Sequence, residues 1–478
     1  MNRLLTIFLL TFAACQPTHT QDASAEGTPK PPNIIYILAD DLGYADLGCY
    51  GQTRFSTPNL DRMAAEGIRF TQHYAGSTVC APSRSALMTG LHAGHGRVRG
   101  NYESGPHGFG AGYELGPDDK TMAEYLQEAG YATGLVGKWG LGVNATTGRP
   151  NLKGFDSFYG FLNQGHAHKQ FPEYLYRDTV KETIPENLDG QRGRYTGDIF
   201  TEEALTFIQQ HQAAPFFLYL SYSTPHAELL VPDDSLFDRF RGKYEEVPYV
   251  NARPPRFGSY DSQAEPFAAY ASMVYRMDRD VQKILDQLKV LGLDENTVVM
   301  FSSDNGPHRE GGSSPEYFDS NGPLRGMKRD LYDGGIRVPM IMRWPGGGQQ
   351  NVVSDHVSAF WDILPTCLDL AGIDQEYVQT DGVSFAPLLR GEVQNQSAHH
   401  YLYWEFHEAK SSHQAIRKQQ WKALRFHPEG PIELYDVEED AGEMNNVAAD
   451  FPEVVAQMHA ILDTVRTPHS IWSLKTGD

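Results

Sequence analysis

The chain has 478 residues, and 40 Lys plus Arg against 61 Asp plus Glu give a formal charge of −21. That balance excludes a general nucleic-acid-binding surface, which needs clustered cations to displace phosphate counterions. A hydrophobic share of 40% with 12% aromatics excludes a disordered chain, and four scattered cysteines exclude a small disulfide framework. The length fits two to four domains, or one large core with an appendage.

The apolar run from Leu4 to Ala14 follows Arg3 and is too short to span a bilayer, so residues 1–14 read as an export signal. Phe12-Ala13-Ala14-Cys15 resembles a bacterial lipoprotein processing site, which makes Cys15 the expected lipidated N-terminus, with plain signal cleavage nearby as the alternative. This places the protein in the periplasm or at the outer membrane or cell surface. Residues 15–32 are rich in Thr, Ser, Ala, Gly and Pro and read as a flexible tether.

Beyond the tether, apolar runs alternate with amphipathic stretches, the pattern of a mainly parallel sheet covered by helices on both faces. Strands are expected at Ile34–Leu38, Ala132–Val136, Phe216–Leu220, Val298–Phe301 and Val338–Met342. A helix starts at Thr57-Pro58 with a cap and an N1 proline and stops before Gly67. Another carries Thr121 and Glu124 at capping-box spacing and ends at Gly130. Phe267–Leu291 has helical periodicity. After about Asp381 the character changes. Tyr401–Phe406, Trp421–Phe426 and Ile432–Tyr435 read as short strands and Phe451–Val465 as an amphipathic helix, so a catalytic domain over 33–380 is followed by a small α+β domain over 381–478. Trp404 and Trp421 read as core rather than sugar platforms, and Cys49 and Cys367 as reduced buried thiols, with a disulfide the alternative that nothing in their spacing demands.

Ligands in open α/β sheets bind beyond the carboxyl ends of the strands. Asp40 and Asp41 follow the first strand, Lys138 the second, His226 the third, and Asp304 with Asn305 the fourth. The four oxygen-bearing side chains suit a hard cation, Ca²⁺ or Mg²⁺, and no Cys or His spacing suits structural zinc. Two adjacent aspartates could instead cap a turn before Gly43, but enclosed carboxylates repel without a counter-ion. Cys80 precedes Pro82, an early helix position, so it sits at a helix N-terminus where the dipole activates a thiol. The residues alone leave open a buried structural cysteine or a thiolate nucleophile.

The segment Cys80-Ala81-Pro82-Ser83-Arg84 through Thr89-Gly90 resembles the signature of type I sulfatases, in which the cysteine is oxidised to formylglycine. Gly130–Thr133 through Gly137-Lys138-Trp139-Gly140 resembles the second family signature, and the likeness runs from Asn33 to about Ala448. It includes A-D-D-L-G at Ala39–Gly43, T-P-H at Thr224–His226, S-D-N-G at Ser303–Gly306, and L-R-G-x-K with G-G-x-R-V-P from Leu324 to Pro339.

The resemblance implies an alkaline-phosphatase-like fold and a formylglycine-generating maturation enzyme as partner. It implies that Asp40, Asp41, Asp304 and Asn305 bind Ca²⁺, with Mg²⁺ the lesser candidate, and that residue 80 completes the site. One hydroxyl of the hydrated aldehyde attacks sulfur and the other then expels sulfate, an exit serine lacks. Arg84 orients residue 80, Lys138 and Lys328 neutralise sulfate oxygens, and His226 protonates the departing alcohol. Where the family has His after Lys138-Trp139, this chain has Gly140, so the base stays unassigned among His166, His168 and His308. Arg337 reads equally as pocket or structural. The expected activity is an exported sulfatase on a sulfated carbohydrate. The alternatives are a phosphodiesterase or phosphonate monoester hydrolase of the same superfamily, or a non-catalytic glycan-binding lipoprotein.

Overall fold

The computed structural model of the protein describes residues 30–101, 104–105, 108–109, 113–252 and 260–477. The expected signal, Cys15 and almost all of the tether lie outside the described residues. The strands and helices of the described residues belong to the unit Pro31–Asp478.

The main sheet has ten strands. In chain order they are β1 Asn33–Asp40, β2 Ile68–Phe70, β3 Ala132–Lys138, β4 Ser157–Phe161, β5 Tyr174–Arg177, β6 Val180–Thr183, β7 Phe216–Pro225, β8 Thr297–Ser303, β9 Met340–Arg343 and β10 Val352–Ser354. They lie in the order β10-β2-β9-β8-β1-β7-β3-β4-β5-β6. The five central strands β8-β1-β7-β3-β4 are mutually parallel, and antiparallel pairs flank them on both sides.

Every residue of β1 is buried, because helices cover both faces. Ile35 and Ile37 pack in one core cluster with α1 (Pro58–Ala65), α4 (Thr196–His211) and α5 (Pro266–Val290). Ile34, Tyr36 and Leu38 face the opposite cluster with α2 (Cys80–Thr89), α3 (Met122–Glu128) and α6 (Ile363–Leu370). The two-residue alternation of a strand thus feeds two separate cores.

The capping box at Thr121 and Glu124 forms. The cap expected at Thr57 does not: its hydroxyl accepts from Gly48 N and donates to Asp61, tying α1 to the preceding turn instead. The strand expected over Val338–Met342 begins only at Met340 and runs antiparallel to β8, since Pro339 has no N–H to enter a ladder.

The C-terminal segment forms a four-stranded antiparallel sheet, β11 Leu402–Phe406, β12 His413–Lys418, β13 Trp421–Arg425 and β14 Glu433–Asp436, followed by α7 (Pro452–Leu462). One face puts Trp404, Leu424 and Tyr435 against Tyr74, Val79 and Ala86, the last within α2. The other face packs Tyr403, Ile416 and Leu434 against Met458 and Leu462. Trp404 is fully buried and donates to Ala75 O, while the half-buried Trp421 packs on Phe451. Cys49 and Cys367 are unpaired thiols.

Candidate active site

Four parallel strands deliver their chemistry to one edge of the sheet. Asp40 ends β1, Lys138 ends β3, His226 directly follows β7 and Asp304 directly follows β8. Between β3 and β7 the backbones pass so closely that a Cβ on Gly137 would lie 1.8 Å from Ser221 O, at a φ of +111°. Asp41 adopts φ 64°, left-handed backbone that a non-glycine residue occupies only when its surroundings hold it. Here they do: its N–H donates to Asp304 Oδ1 at 3.0 Å.

Cys80 is the first residue of α2, as its spacing from Pro82 predicts. Its Sγ lies 3.4 Å from Asp40 Oδ1 and 4.0 Å from Asp41 Oδ1. One ligand atom from each of Asp40, Asp41, Cys80 and Asp304 falls within 4.8 Å of the others. Lys138 Nζ bonds both oxygens of Asp40 at 3.0 and 2.7 Å. Arg84 donates from Nε to Asp304 at 3.0 Å and from Nη1 to Lys138 O at 3.0 Å and to Ser221 Oγ. Lys328 Nζ reaches Asp41 Oδ2 at 2.7 Å and His226 Nε2 at 3.0 Å. The structure therefore brings together Asp40, Asp41, Cys80, Arg84, Lys138, His226, Asp304 and Lys328 with Asn305, whose Nδ2 donates to Asp41 at 2.6 Å.

Three buried carboxylates face three buried cationic side chains, and the compensation is uneven. Against burial, Lys138, His226 and Arg84 hold Asp40 well below the usual carboxylate range. Burial and the adjacent Asp40 charge instead push Asp304 up to about 7. Asn305 Oδ1 is buried with no hydrogen-bond partner. An unsatisfied acceptor oxygen beside a carboxylate short of positive charge is what a hard divalent cation fits. The dipole activation expected at Cys80 is overruled: burial and Asp304 push the thiol well above its ordinary value, so as cysteine it stays protonated.

His226 is flanked by two parallel imidazoles, His168 at 4.6 Å and His308 at 5.3 Å between ring centroids. Its Nδ1 donates to Ala227 O, leaving Nε2 to accept from Lys328. Burial and Lys328 pull His226 down to about 4, so at neutral pH the proton of this pair rests on lysine. His166 turns away to pack against Phe161 and Tyr174. Arg337 bonds Thr71 O and Asp333 and is structural. Glu310 was not legible: it lies 3.5 Å from Lys328 Nζ and 3.6 Å from His226 Nε2. The one signal for it is the Gly311-Gly312 pair behind it, both at positive φ, which marks a shaped turn after His308.

A second cluster, His92, His95 and Asp381, has metal-like spacing but the wrong tautomer. His92 Nδ1 accepts from Gly94 N, so Nε2 carries the hydrogen and faces Asp381 at 3.7 Å. Asp381 also takes the His92 backbone N–H and its own N–H bonds Gly90 O, so the cluster fastens the end of α2.

Gly140 has φ +78°, and a Cβ there would lie 2.1 Å from Gln164 Nε2. Gln164 therefore fills the space a side chain at 140 would take. Restoring the family residue by Gly140→His is expected to destabilise the fold by roughly 1–3 kcal/mol through backbone strain plus this clash. Adding Gln164→Ala should recover only the clash part. Chemical denaturation of the two variants checks this, and a Gly140→His protein as stable as the parent would contradict it.

Residues 32–373 match the Sulfatase family and residues 326–468 match N-sulphoglucosamine sulphohydrolase, C-terminal. The chain is 33% identical to N-acetylgalactosamine-6-sulfatase of Homo sapiens over 397 residues, 79% of this chain and 69% of that protein. It is 30% identical to N-acetylgalactosamine-6-O-sulfatase of Bacteroides thetaiotaomicron over 521 residues, 92% of this chain and 94% of that one. The solved structure of Ps i-CgsB in complex with k-i-k-neocarrahexaose superposes with a TM-score of 0.75 at 29% identity, covering 91% of this chain and 93% of that one. The chain belongs to the type I sulfatase family, sulfuric ester hydrolases of the alkaline-phosphatase-like superfamily.

Proposed function

We propose that the protein hydrolyses sulfate esters of a carbohydrate, with residue 80 working as formylglycine beside a Ca²⁺ ion held by Asp40, Asp41, Asp304 and Asn305. The observation that carries this reading is the seat of Cys80 Sγ, 3.4 Å from Asp40, within a buried ring of carboxylates and cations. Relatives named N-acetylgalactosamine-6-sulfatase and the k-i-k-neocarrahexaose in Ps i-CgsB support a carbohydrate. As formylglycine, residue 80 supplies a hydrated aldehyde whose one hydroxyl accepts the sulfuryl group and whose other releases it. The ion supplies positive charge where sulfate oxygens gather.

The chain's own residues do the rest. Arg84 fixes Asp304, the end of β3 and Ser221 of β7 through three hydrogen bonds, so the carboxylates keep their positions under load. Lys138 places its ammonium on Asp40 and Lys328 its own on Asp41, where sulfate charge needs neutralising. Lys328 Nζ and His226 Nε2 share one proton across 3.0 Å, and the leaving oxygen takes its proton from this pair. The apolar run before Cys15 supports export and lipid attachment, and the Cys80 conversion calls for a maturation enzyme met before folding, since Cys80 is only 3% exposed.

Converted protein should turn over 4-nitrophenyl sulfate faster than aryl phosphate mono- and diesters. The reverse order would favour the phosphonate-hydrolase alternative, and no turnover with an unmodified thiol in the native host would favour a glycan-binding lipoprotein.

The cation has its own signature. Asp304 rises from 3.8 in a free chain to about 7. The folded state thus holds its proton more tightly, and the stability this gives is present below about pH 4 and lost as pH rises through about 7. Bound Ca²⁺ prefers the ionised form, so its stabilisation should grow across that window, to about 2.7 kcal/mol at 100 times Kd. Asp41→Asn, which tolerates left-handed backbone, should remove the shift. Calorimetry with and without calcium decides it.

A further inference from the structure

On the sulfatase reading, an anionic ester must bind beside Lys328 and His226, yet a carboxylate stands there. Glu310 Oε2 lies 3.5 Å from Lys328 Nζ and 3.6 Å from His226 Nε2, the two atoms that face the leaving oxygen. It is not a metal ligand in waiting. Asp41, His308 and Glu310 do offer ligand atoms within 4.8 Å of one another, but the ammonium of Lys328 already bonds Asp41 and His226 and reaches Glu310.

Glu310 is also firmly held. Arg329 Nη1 donates to Oε1 at 2.7 Å and Tyr260 OH donates to Oε2 at 3.1 Å. Arg329 has φ 77°, left-handed backbone that lets consecutive residues point apart, Lys328 into the site and Arg329 to its rim. Its guanidinium, 48% exposed, offsets the Glu310 charge, so the carboxylate adds no net repulsion toward sulfate. What remains is a fixed, ionised group that can only accept hydrogen bonds.

We infer that Glu310 is a substrate-recognition residue: Oε2 accepts a hydrogen bond from a free hydroxyl on a carbon next to, or one removed from, the sulfated one. Such a hydroxyl lies roughly one hydrogen-bond length, ~2.8 Å, from the ester oxygen. The leaving alcohol is therefore a polyol such as a sugar, and a bare aryl or steroid alcohol desolvates Oε2 without giving it the hydroxyl hydrogen bond. A site built to bond a hydroxyl rejects the analogue lacking it far more strongly than an apolar pocket rejects a missing methylene.

The test takes the converted full-length protein and the monosulfated galactose or N-acetylgalactosamine isomer it turns over fastest, together with the deoxy analogue lacking the hydroxyl nearest the ester. Removing that hydroxyl should cost the parent about 10²-fold in kcat/KM. In Glu310→Met, which keeps bulk and loses the acceptor, the penalty should collapse to under about threefold. In Glu310→Gln, a neutral acceptor, it should fall to about tenfold. A structural role would lower both substrates alike and leave the ratio unmoved. A full penalty in Glu310→Met, or in Glu310→Gln if the first variant fails to fold, overturns the assignment, as does a parent that shows no penalty. Absence of all sulfate ester turnover in the parent would instead overturn the sulfatase reading, and this one with it.

Discussion

Cys80→Ser is expected to abolish steady-state sulfate ester hydrolysis, by roughly 10⁴–10⁶-fold, while leaving the thermal midpoint within a few degrees of the parent. The side chain is buried and Sγ lies within reach of the Asp40 and Asp41 carboxylates, so a hydroxyl of similar size fits. Serine can accept the sulfuryl group once, but it has no second hydroxyl on the same carbon to expel it. Incubation with substrate should therefore give at most one equivalent of product and a protein heavier by one sulfuryl group on the residue 80 peptide. Continuous turnover by the serine variant would show that the second hydroxyl is dispensable. Activity across parent preparations should rise in proportion to the fraction of residue 80 found as aldehyde by mass spectrometry.

The largest stability effect is expected at Arg84. Its side chain is 1% exposed, and Nη2 lies 2.8 Å from Asp304 and 3.5 Å from Asp40. Arg84→Met keeps much of the volume and leaves Asp304 facing Asp40 with less compensation. At about pH 9, where a group titrating at about 7 is ionised, the expected loss is about 3–5 kcal/mol, the cost of breaking a buried pair from one side, together with the loss of activity. Asp304→Asn added to Arg84→Met should restore most of the stability and none of the turnover, because the repulsion is gone and so is an oxygen-bearing anion. Urea unfolding in chelator measures both. A loss under about 1 kcal/mol in the single variant would mean that Asp304 is carried as the neutral acid in the folded protein.

The sheet was legible where strands are buried on both faces. β1, β3, β7 and β8 appear as mainly apolar runs, and Asp40, Lys138, His226 and Asp304 follow them within two to six residues. The edges were not legible. β5 buries only Leu175, β6 is exposed except for the half-buried Glu182, and β10 is three residues long. β12 reads His-Gln-Ala-Ile-Arg-Lys, with no strand signal beyond Ala415-Ile416. Gln414 and Arg417 are nonetheless buried, because Gln414 accepts from Arg425 and Arg417 donates to Tyr74, partners supplied by other elements. The same reason hid Glu310 and the stacking of His168 on His226. Asp40 and Asp41 stand out as a doublet at a strand end, whereas Glu310 acquires meaning only when a distant loop folds over it. The stronger limit concerned ionisation: an expected activated thiol at the start of α2 became a protonated one, since the dipole of ten residues is outweighed by burial and by Asp304.

Helix α2 is walled on one side by the sheet β11–β14, through Val79 and Ala86 against Trp404 and Leu424. During synthesis from the N-terminus, that wall is missing until more than 300 further residues have emerged after position 80. At about 5–20 residues per second this is roughly 15–60 s. On the proposed conversion of Cys80 to formylglycine, that interval is when a maturation enzyme would reach the residue, and a change in β11–β14 that delays closure would lengthen the time available for its oxidation. The far end of the polypeptide thereby sets a clock on the chemistry acquired near its beginning.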